Sequence, residues 1–409
     1  MGKQGDGEMI FRDLKVADFC WVGVGPIVGR ILAEYGATVI RVESSTRPDP
    51  LRTMPPFKDN ISGLNRSVFY TGPNCNKRSL ALDLNNPKAR EVAQKLIAWA
   101  DIMGESFGPG VMEKWGLGYS EVKKINPNII YYSTCMQGQT GPHRNFRGFG
   151  LHMAGLSGLY HILGWPDLEP VGPYGAYSDF IAWLWMRALV LAAIDYKRRT
   201  GKGQYIDLSQ LEATMHFLGP LLLEYNVNHR DTSRMGNADR YSCPHGVFPC
   251  LGKENWIAIA VENEDEWKGF CKALGNLPWC QDPKFATFPL RKANESELNR
   301  QIEEWTRRFD AFNLMSHFQS HGVGAGVVLK PSQAYHDPQL NHRPARVNLD
   351  HAEIGPHGYP TTGTNFSKMS PRFWRAAPLL GEDTEWVLKE VLQLSEREIA
   401  DLSAAEALK

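Results

Sequence analysis

The sequence carries no excess of charge of either sign: Lys plus Arg and Asp plus Glu number 45 each in 409 residues. A balanced chain offers no global field to a nucleic acid or an anionic membrane, so neither is expected as a partner. Paired cysteines are missing as well. Cys20, Cys75, Cys135, Cys243, Cys250, Cys271 and Cys280 are odd in number, and none stands at C-x-x-C spacing. That excludes a disulfide framework and a four-cysteine zinc site, and it points to a reducing, cytoplasmic compartment. The twelve histidines show no H-E-x-x-H or other ligand spacing, so no metal is expected. The opening MGKQGDGEMIFRD lacks an apolar signal core. Met1-Gly2 begins like a myristoylation signal, but Asp6 stands where Ser or Thr is required. No uninterrupted apolar run reaches bilayer length. The longest, Phe180 to Ile194, is broken by Arg187 and reads as a buried core helix.

What is present is an ordinary globular composition, 43% hydrophobic and 22% charged. Such a chain buries a sizeable core, and its length fits about two to three domains. The first 210 residues alternate short β-rich runs with helical patterns. Val16 to Val22, Thr38 to Glu43, Ser79 to Leu84, Ile129 to Ser133 and Tyr205 to Ser209 read as strands. Pro26 to Tyr35 and Pro87 to Ala100 read as helices, the second with Val92, Leu96, Ile97 and Ala100 on one face and Pro at its first position. Ser209 and Glu212 have capping-box spacing ahead of a further helix. This alternation predicts an α/β, Rossmann-like domain with a mostly parallel sheet.

Between Tyr225 and Arg240 the chain turns polar and reads as a linker. A smaller αβ region follows, with Trp256 to Val261 as a strand, Glu264 to Leu274 as a helix and Asn263 as its cap. The expected domains are 1–225, completed by 330–409, and 226–329. Lys330 to Ser367 is loop-rich, a composition that suits wrapping around a ligand or a partner chain. Glu382 to Leu394 has the pattern of an amphipathic helix.

Gly23, Gly25 and Gly29 form G-x-G-x-x-x-G between the first strand and helix, and Glu43 ends the next strand. This spacing is near that of a dinucleotide-binding turn, in which glycines admit a pyrophosphate and the acid binds a ribose. The last gap is one residue longer than usual, and Pro26 removes an amide donor. The local pattern therefore leaves two readings open: an NAD(P)-dependent oxidoreductase, or a turn whose glycines serve close packing.

Eight segments in order bring in a resemblance: VGPIVGRILAEYGATVIRVE (24–43), NKRSLALDL (76–84), FGPGVMEKWGLGY (107–119), QGQTGP (137–142), RRTGKGQYIDLS (198–209), HGVFPC (245–250), DPQL (337–340) and AAPLLGEDTEWVLKEVL (376–392). Together they resemble the class III CoA-transferases, which include formyl-CoA and carnitine-CoA transferases. The resemblance implies transfer of CoA from an acyl-CoA donor to a carboxylic acid through aspartyl anhydride and aspartyl-CoA thioester intermediates. Acyl-CoA is then a substrate and no cofactor is tightly bound. It also implies an interlocked dimer, either with itself or with a homologous subunit.

The matching nucleophile is Asp179 in VGPYGAYSDFIAW (171–183). A carboxylate at a helix N-terminus faces the positive end of the macrodipole and is expected to stay ionised, as a nucleophile must. The residues that match the CoA site are Val22, Gly23 and Val24, then Asn74, Cys75, Asn76 and Lys77, then Ser106, Phe107 and Gly108, with Lys114 and Met136, Gln137 and Gly138. Lys77, Arg78 and Lys114 are the expected phosphate partners. Gly138 and the Gly236 loop are the expected oxyanion donors.

Several positions depart from the formyl-CoA transferase pattern. Gly23 replaces a glutamine near the small acid, Ser44 replaces an arginine near the nucleotide, and GNADR at Gly236 replaces a run of glycines. The related α-methylacyl-CoA racemases need a His-Asp pair where this chain has Phe149 and Gly150, and His152 is out of register. A non-catalytic subunit of a heteromeric transferase is a further alternative, against which Asp179 speaks. Trp21, Trp165, Trp183 and Trp185 near the nucleophile, with the space at Gly23, predict a bulky or aromatic acid such as a substituted succinate.

Overall fold

The computed structural model describes residues 9–343 and 345–409, so the Met1-Gly2 opening lies outside the described residues. The chain divides into two compact units. One comprises 1–159, 172–230 and 341–409; the other comprises 160–171 and 231–340.

The first unit is built on six parallel strands: β1 (Lys15–Asp18), β2 (Thr38–Glu43), β3 (Arg78–Ala81), β4 (Ile102–Glu105), β5 (Ile130–Cys135) and β6 (Tyr205–Ser209), in the order β3-β2-β1-β4-β5-β6. β4 and β5 are buried along their whole length, and their mostly apolar sequences carry buried Glu105, Ser133 and Thr134 toward their carboxyl ends. Successive side chains point to opposite faces. On one face Val16, Val39, Ile102 and Ile130 pack with Val28, Ile31 and Leu32 of helix Val24–Glu34 and with Ala182, Met186 and Val190 of helix Tyr177–Thr200. On the other, Ala17, Ile40, Leu80, Met103 and Tyr131 pack with Val92, Leu96 and Ile97 of helix Pro87–Trp99. Asn86 caps that helix, its side chain accepting from the Lys88 N–H at 3.0 Å, with Pro87 in the first turn.

Three expectations are corrected. The run Phe180–Ile194 belongs to a 24-residue helix, Tyr177–Thr200, long and apolar enough to cross a membrane, and it is not a buried core helix. Its buried residues are Ser178, Asp179 and a stripe of Ala182, Met186, Val190, Ala193 and Ile194, while Phe180, Leu184, Trp185, Leu189 and Leu191 form an exposed apolar face. The loop-rich stretch after Lys330 contains an antiparallel hairpin of β10 (Arg346–His351) and β11 (Gly355–Pro360). The segment 382–394 forms one short helical turn, Thr384–Trp386, and a π-helical turn, Val387–Val391. The wider π-turn buries Val387 and Leu388 against the helix Pro87–Trp99 core.

The second unit has an antiparallel sheet of β7 (His245–Pro249), β8 (Trp256–Ala260) and β9 (Gly324–Val327). Helices Glu264–Ala273 and Ala311–Ser320 cover it, with Phe270 stacked on Phe318 at 5.4 Å. Asn263 caps the first of these helices through two backbone N–H groups.

Candidate active site

The strand order reverses between β1 and β4. In an open parallel sheet the loops at the carboxyl ends of two such strands diverge and leave a crevice. Here those loops are 19–23 and 106–110. Ser106 ties them together: its Oγ accepts from the Trp21 N–H at 2.7 Å and donates to the Trp21 carbonyl at 3.0 Å. Val22 adopts φ +64, an outlier for a β-branched side chain. Its N–H is held by both carboxylate oxygens of Asp49 at 3.1 and 3.3 Å, and Asp49 is in turn paired with buried Arg41. The strained turn delivers Gly23 to the crevice as the residue before helix Val24–Glu34.

Asp179 is the third residue of helix Tyr177–Thr200 and is only 8% exposed. It sits in the first helical turn, with Ala176 at the cap. The preceding Ser178 donates to the Gly150 carbonyl at 2.8 Å, which draws the 150 segment against the helix start. Two glycines clear space for the carboxylate. A Cβ on Gly23 would lie 3.1 Å from Asp179 Cβ and 3.2 Å from Oδ2, and one on Gly150 would lie 2.6 Å from Oδ1. The departures at positions 23 and 150 are thus a matched pair, one on each side of the nucleophile candidate.

Burial pushes the Asp179 carboxyl up to about 6, opposed by a side-chain hydrogen bond from Gln210. The helix dipole therefore does not hold it in the ordinary carboxylate range, although it remains mainly ionised at neutral pH. Gln210 was not singled out by the sequence. Ser209 Oγ caps its helix, accepting from the Glu212 N–H at 3.2 Å, so the expected capping residue also aims the glutamine. Gln210 Oε1 is buried and has no hydrogen-bond partner among the described residues. Nearby Glu105 is also pushed up, to about 7, by burial, while its carboxylate accepts from the Phe107 N–H at 2.7 Å.

Asp179 and Gln210 line an open cavity of about 850 Å³ with Trp21 to Val24, Ser106 to Pro109, Thr134 to Met136, and Arg144, Phe146 and Gly148 to Gly150. A second crevice of about 420 Å³ shares Trp21 and Phe107 with the first and continues past Ser44, Arg47, Asp83, Asn85 and Trp115. Phe107 meets Trp21 edge to face at 5.0 Å and Trp115 at 5.3 Å, forming an aromatic rib along both spaces. Arg47 is exposed and has no ion-pair partner among the described residues.

The expected CoA residues divide. Val22, Gly23, Val24, Ser106, Phe107, Gly108 and Met136 line the Asp179 cavity. The 74–78 stretch does not. Lys77 is fully buried, its Nζ 2.7 Å from Asp18 and 3.0 Å from Asn74 Oδ1, so its charge is matched inside the protein and unavailable to a phosphate. Arg78 pairs with Asp383 at 2.8 Å and stacks on Trp386 at 3.7 Å. Buried Asn74 donates to the Tyr70 carbonyl, Cys75 is enclosed, and Asn76 binds the 372–375 backbone. Lys114 is exposed but absent from the lining of either space. Gln137 reaches Met153 Sδ, and Gly138 packs near Ser209 and Asp207, both outside the cavity wall.

Other expectations find simpler structural explanations. A Cβ on Gly25 would lie 2.3 Å from Cys20 Sγ, and one on Gly29 would lie 3.0 Å from Asp18 Oδ2. These glycines serve helix-on-strand packing. Glu43 is fully engaged by Arg52, Tyr70 and Ser79, which leaves it no role on a ribose. His152 Nδ1 accepts from the Phe149 N–H at 3.0 Å, and no histidine lines the cavity among the described residues, so the racemase pair has no counterpart. Of the tryptophans, Trp21 lines the cavity, whereas Trp183 packs in the core and Trp185 faces outward. Trp165 and Gly236 belong to the second unit, where they pack on one another.

A family model described as CoA-transferase family III matches residues 11–384. The succinyl-CoA:glutarate CoA-transferase of Homo sapiens is 30% identical over 96% of this chain and 88% of its own length. The succinyl-CoA–L-malate CoA-transferase beta subunit of Chloroflexus aurantiacus is 28% identical, with 97% of each chain covered. The crystal structure of a CAIB/BAIF family protein from Brucella suis superposes with a TM-score of 0.85 at 30% identity, covering 92% of this chain and 98% of the other.

Proposed function

The chain belongs to CoA-transferase family III, and on that premise we propose that it moves CoA between two carboxylic acids by way of a covalent intermediate on Asp179. The observation that carries this reading is a buried carboxylate, flanked by Gly23 and Gly150, at the switch point of the sheet. Desolvation strips water from the carboxylate, and the cavity leaves room for a carbonyl beside it.

The steps follow from bond accounting. An Asp179 oxygen attacks the thioester carbonyl, the C–S bond breaks, and CoA leaves as thiolate from a mixed anhydride. The thiolate attacks the aspartyl carbonyl and expels the donor acid, leaving an aspartyl-CoA thioester. The acceptor carboxylate attacks that carbonyl, releasing the thiolate again. Thiolate attack on the acceptor acyl carbonyl then yields the new acyl-CoA and free Asp179. No net proton, oxidant or metal enters. Each tetrahedral oxyanion needs donors fixed in advance. The first-turn N–H groups of helix Val24–Glu34, with Val24 in the cavity wall, and the Gln210 amide are best placed to supply them.

The nucleotide of CoA fits the Ser44–Arg47–Trp115 crevice, with Arg47 taking the role of the arginine absent at position 44. The pantetheine arm then passes the shared Trp21–Phe107 wall toward Asp179. Aromatic residues on that wall and at Phe146 and Phe149 favour a bulky or substituted dicarboxylic acid as acceptor. The names of the two relatives favour succinyl-CoA as donor. Assembly into a dimer, with itself or with a homologous subunit, is supported by the apolar outer face of helix Tyr177–Thr200 and by exposed Leu223, Tyr225 and Val227 on helix Gly219–Asn228.

Trapping tests the chemistry. Enzyme incubated with succinyl-CoA and then hydroxylamine yields a hydroxamate at Asp179, since anhydrides and thioesters react with hydroxylamine and carboxylates do not. A hydroxamate at Glu105 or Asp101 instead, or transfer activity surviving in Asp179→Ala, overturns the assignment.

A further inference from the structure

The cavity around Asp179 holds one more charged side chain, which the transfer chemistry does not use. Arg144 lines the same wall as Phe146 and Phe149, on a loop shaped by the turns Arg144 N–H to Gly141 carbonyl (3.4 Å) and Phe146 N–H to His143 carbonyl (2.9 Å). Its neighbour Arg147 lies outside the lining. Among the described residues no acidic group pairs with the Arg144 guanidinium, and it is the only cation in this wall. The cavity therefore contains one buried carboxylate, one unmatched guanidinium and otherwise neutral surface that includes the Trp21, Phe107, Phe146 and Phe149 rings.

We propose that Arg144 is a specificity-determining residue that binds the distal carboxylate of a dicarboxylic substrate while the proximal carboxyl reacts at Asp179. The inference rests on the CoA-transferase reading above. Its logic is electrostatic. The reacting carboxylate of the acceptor approaches a buried, acylated aspartate and finds no cation there, because a salt bridge would quench its nucleophilicity. A guanidinium elsewhere in the same cavity calls for a second anion on the same molecule. CoA phosphates are a poorer match, because the crevice suited to the nucleotide is a separate space with its own arginine, Arg47. The planar fork of Arg144 suits bidentate carboxylate recognition, and the flanking Phe146 and Phe149 rings offer apolar surface to the chain between the two carboxyls.

The test compares wild type with Arg144→Gln and Arg144→Lys, using succinyl-CoA as donor. Acceptors are matched pairs that differ only in the distal carboxyl: glutarate with butyrate, and benzylsuccinate with 4-phenylbutyrate. For wild type the dicarboxylate is favoured. Arg144→Gln is expected to lower kcat/KM for dicarboxylates roughly 10- to 100-fold, the size of a lost charge-assisted hydrogen-bond pair, and to leave monocarboxylates within about twofold, with Arg144→Lys intermediate. Binding of desulfo-CoA, measured by calorimetry, stays unchanged. An equal loss for both members of a pair, or a loss of desulfo-CoA affinity, assigns Arg144 to the fold or to the nucleotide and overturns the proposal. Full dicarboxylate preference in Arg144→Gln overturns it directly. If wild type moves CoA to none of the four acids and forms no hydroxamate from succinyl-CoA, the transferase reading itself fails and this inference falls with it.

Discussion

Gly150 lies so close to Asp179 that a methyl group on its Cα would meet Oδ1 at 2.6 Å. The contact is to the end of a side chain that opens onto the cavity, so the carboxylate would have to rotate toward that space to admit the methyl group. Gly150→Ala is therefore expected to turn Asp179 out of its attacking position, lowering kcat by about two powers of ten or more. The fold should survive, because the displaced atoms, those of the Asp179 carboxylate and Ser178 Oγ, belong to side chains and not to backbone. Gly23→Ala, with its nearest approach at 3.1 Å, is expected to cost less. Steady-state transfer rates beside circular dichroism decide this; wild-type turnover in Gly150→Ala refutes it.

The Lys77–Asp18 pair separates a structural role from a binding role. Both side chains are fully buried and their charged atoms are 2.7 Å apart. Lys77→Ala leaves Asp18 charged in an apolar setting, and a loss of about 3–5 kcal/mol in urea unfolding is expected. Lys77→Met combined with Asp18→Asn removes both charges and should recover most of that loss. CoA affinity of the folded double variant is expected to stay within about twofold of wild type. A large drop in affinity at unchanged stability returns Lys77 to the phosphate site.

The same residues show how far sequence reaches. Strands such as Thr38–Glu43 and Tyr205–Ser209 were legible because each is a short run rich in β-branched, aromatic and aliphatic residues, bounded by turn residues. Asp179 was legible through its position in a family-like string, since locally it looks like any acid at a helix start. Lys77, expected as a phosphate partner, is paired with Asp18, and the sequence could not foretell this because a lysine looks the same whether it meets solvent, a phosphate or an aspartate 59 positions away. Gln210 and Arg144 left no signal: each acquires meaning only when the loops after β1, β4, β5 and β6 converge. The helix Tyr177–Thr200 was misjudged for a related reason. Apolar residues all round can mean deep burial, and here they instead leave one face uncovered.

Arg47 supplies a direct probe of the nucleotide crevice. It is exposed, lies beside Ser44 and has no ion-pair partner among the described residues. Arg47→Ala is expected to raise KM for succinyl-CoA about tenfold, with kcat nearly unchanged, since a remote binding contact is lost equally from ground and transition states. The effect should shrink at high salt. Isothermal titration with CoA at two ionic strengths checks it, and an unaltered Kd removes Arg47 from the site.

The raised pKa of Asp179 sets activity and stability against each other. In the folded chain burial places it at about 6, against 3.8 for a free aspartate, so folding favours the protonated form. The stabilising contribution of that preference is complete below pH 3.8 and is lost as pH rises through about 6. At about 1.4 kcal/mol per unit, up to about 3 kcal/mol is at stake. Asp179→Asn, which never ionises, escapes this loss. Its melting temperature should match wild type near pH 4 and exceed it by several degrees at pH 8. Activity runs the other way, because only the carboxylate attacks: kcat/KM of wild type rises with pH through an apparent pKa near 6. Gln210→Leu removes the hydrogen bond that opposes the upward shift. Its acid limb should move up by about half a unit to one unit, with recovery toward the wild-type plateau at pH 8.5 to the extent that Gln210 acts through this charge. An acid limb below pH 5, together with a pH-independent difference in melting temperature between Asp179→Asn and wild type, means that the carboxylate is not held in a desolvating site and that its nucleophilicity needs another cause.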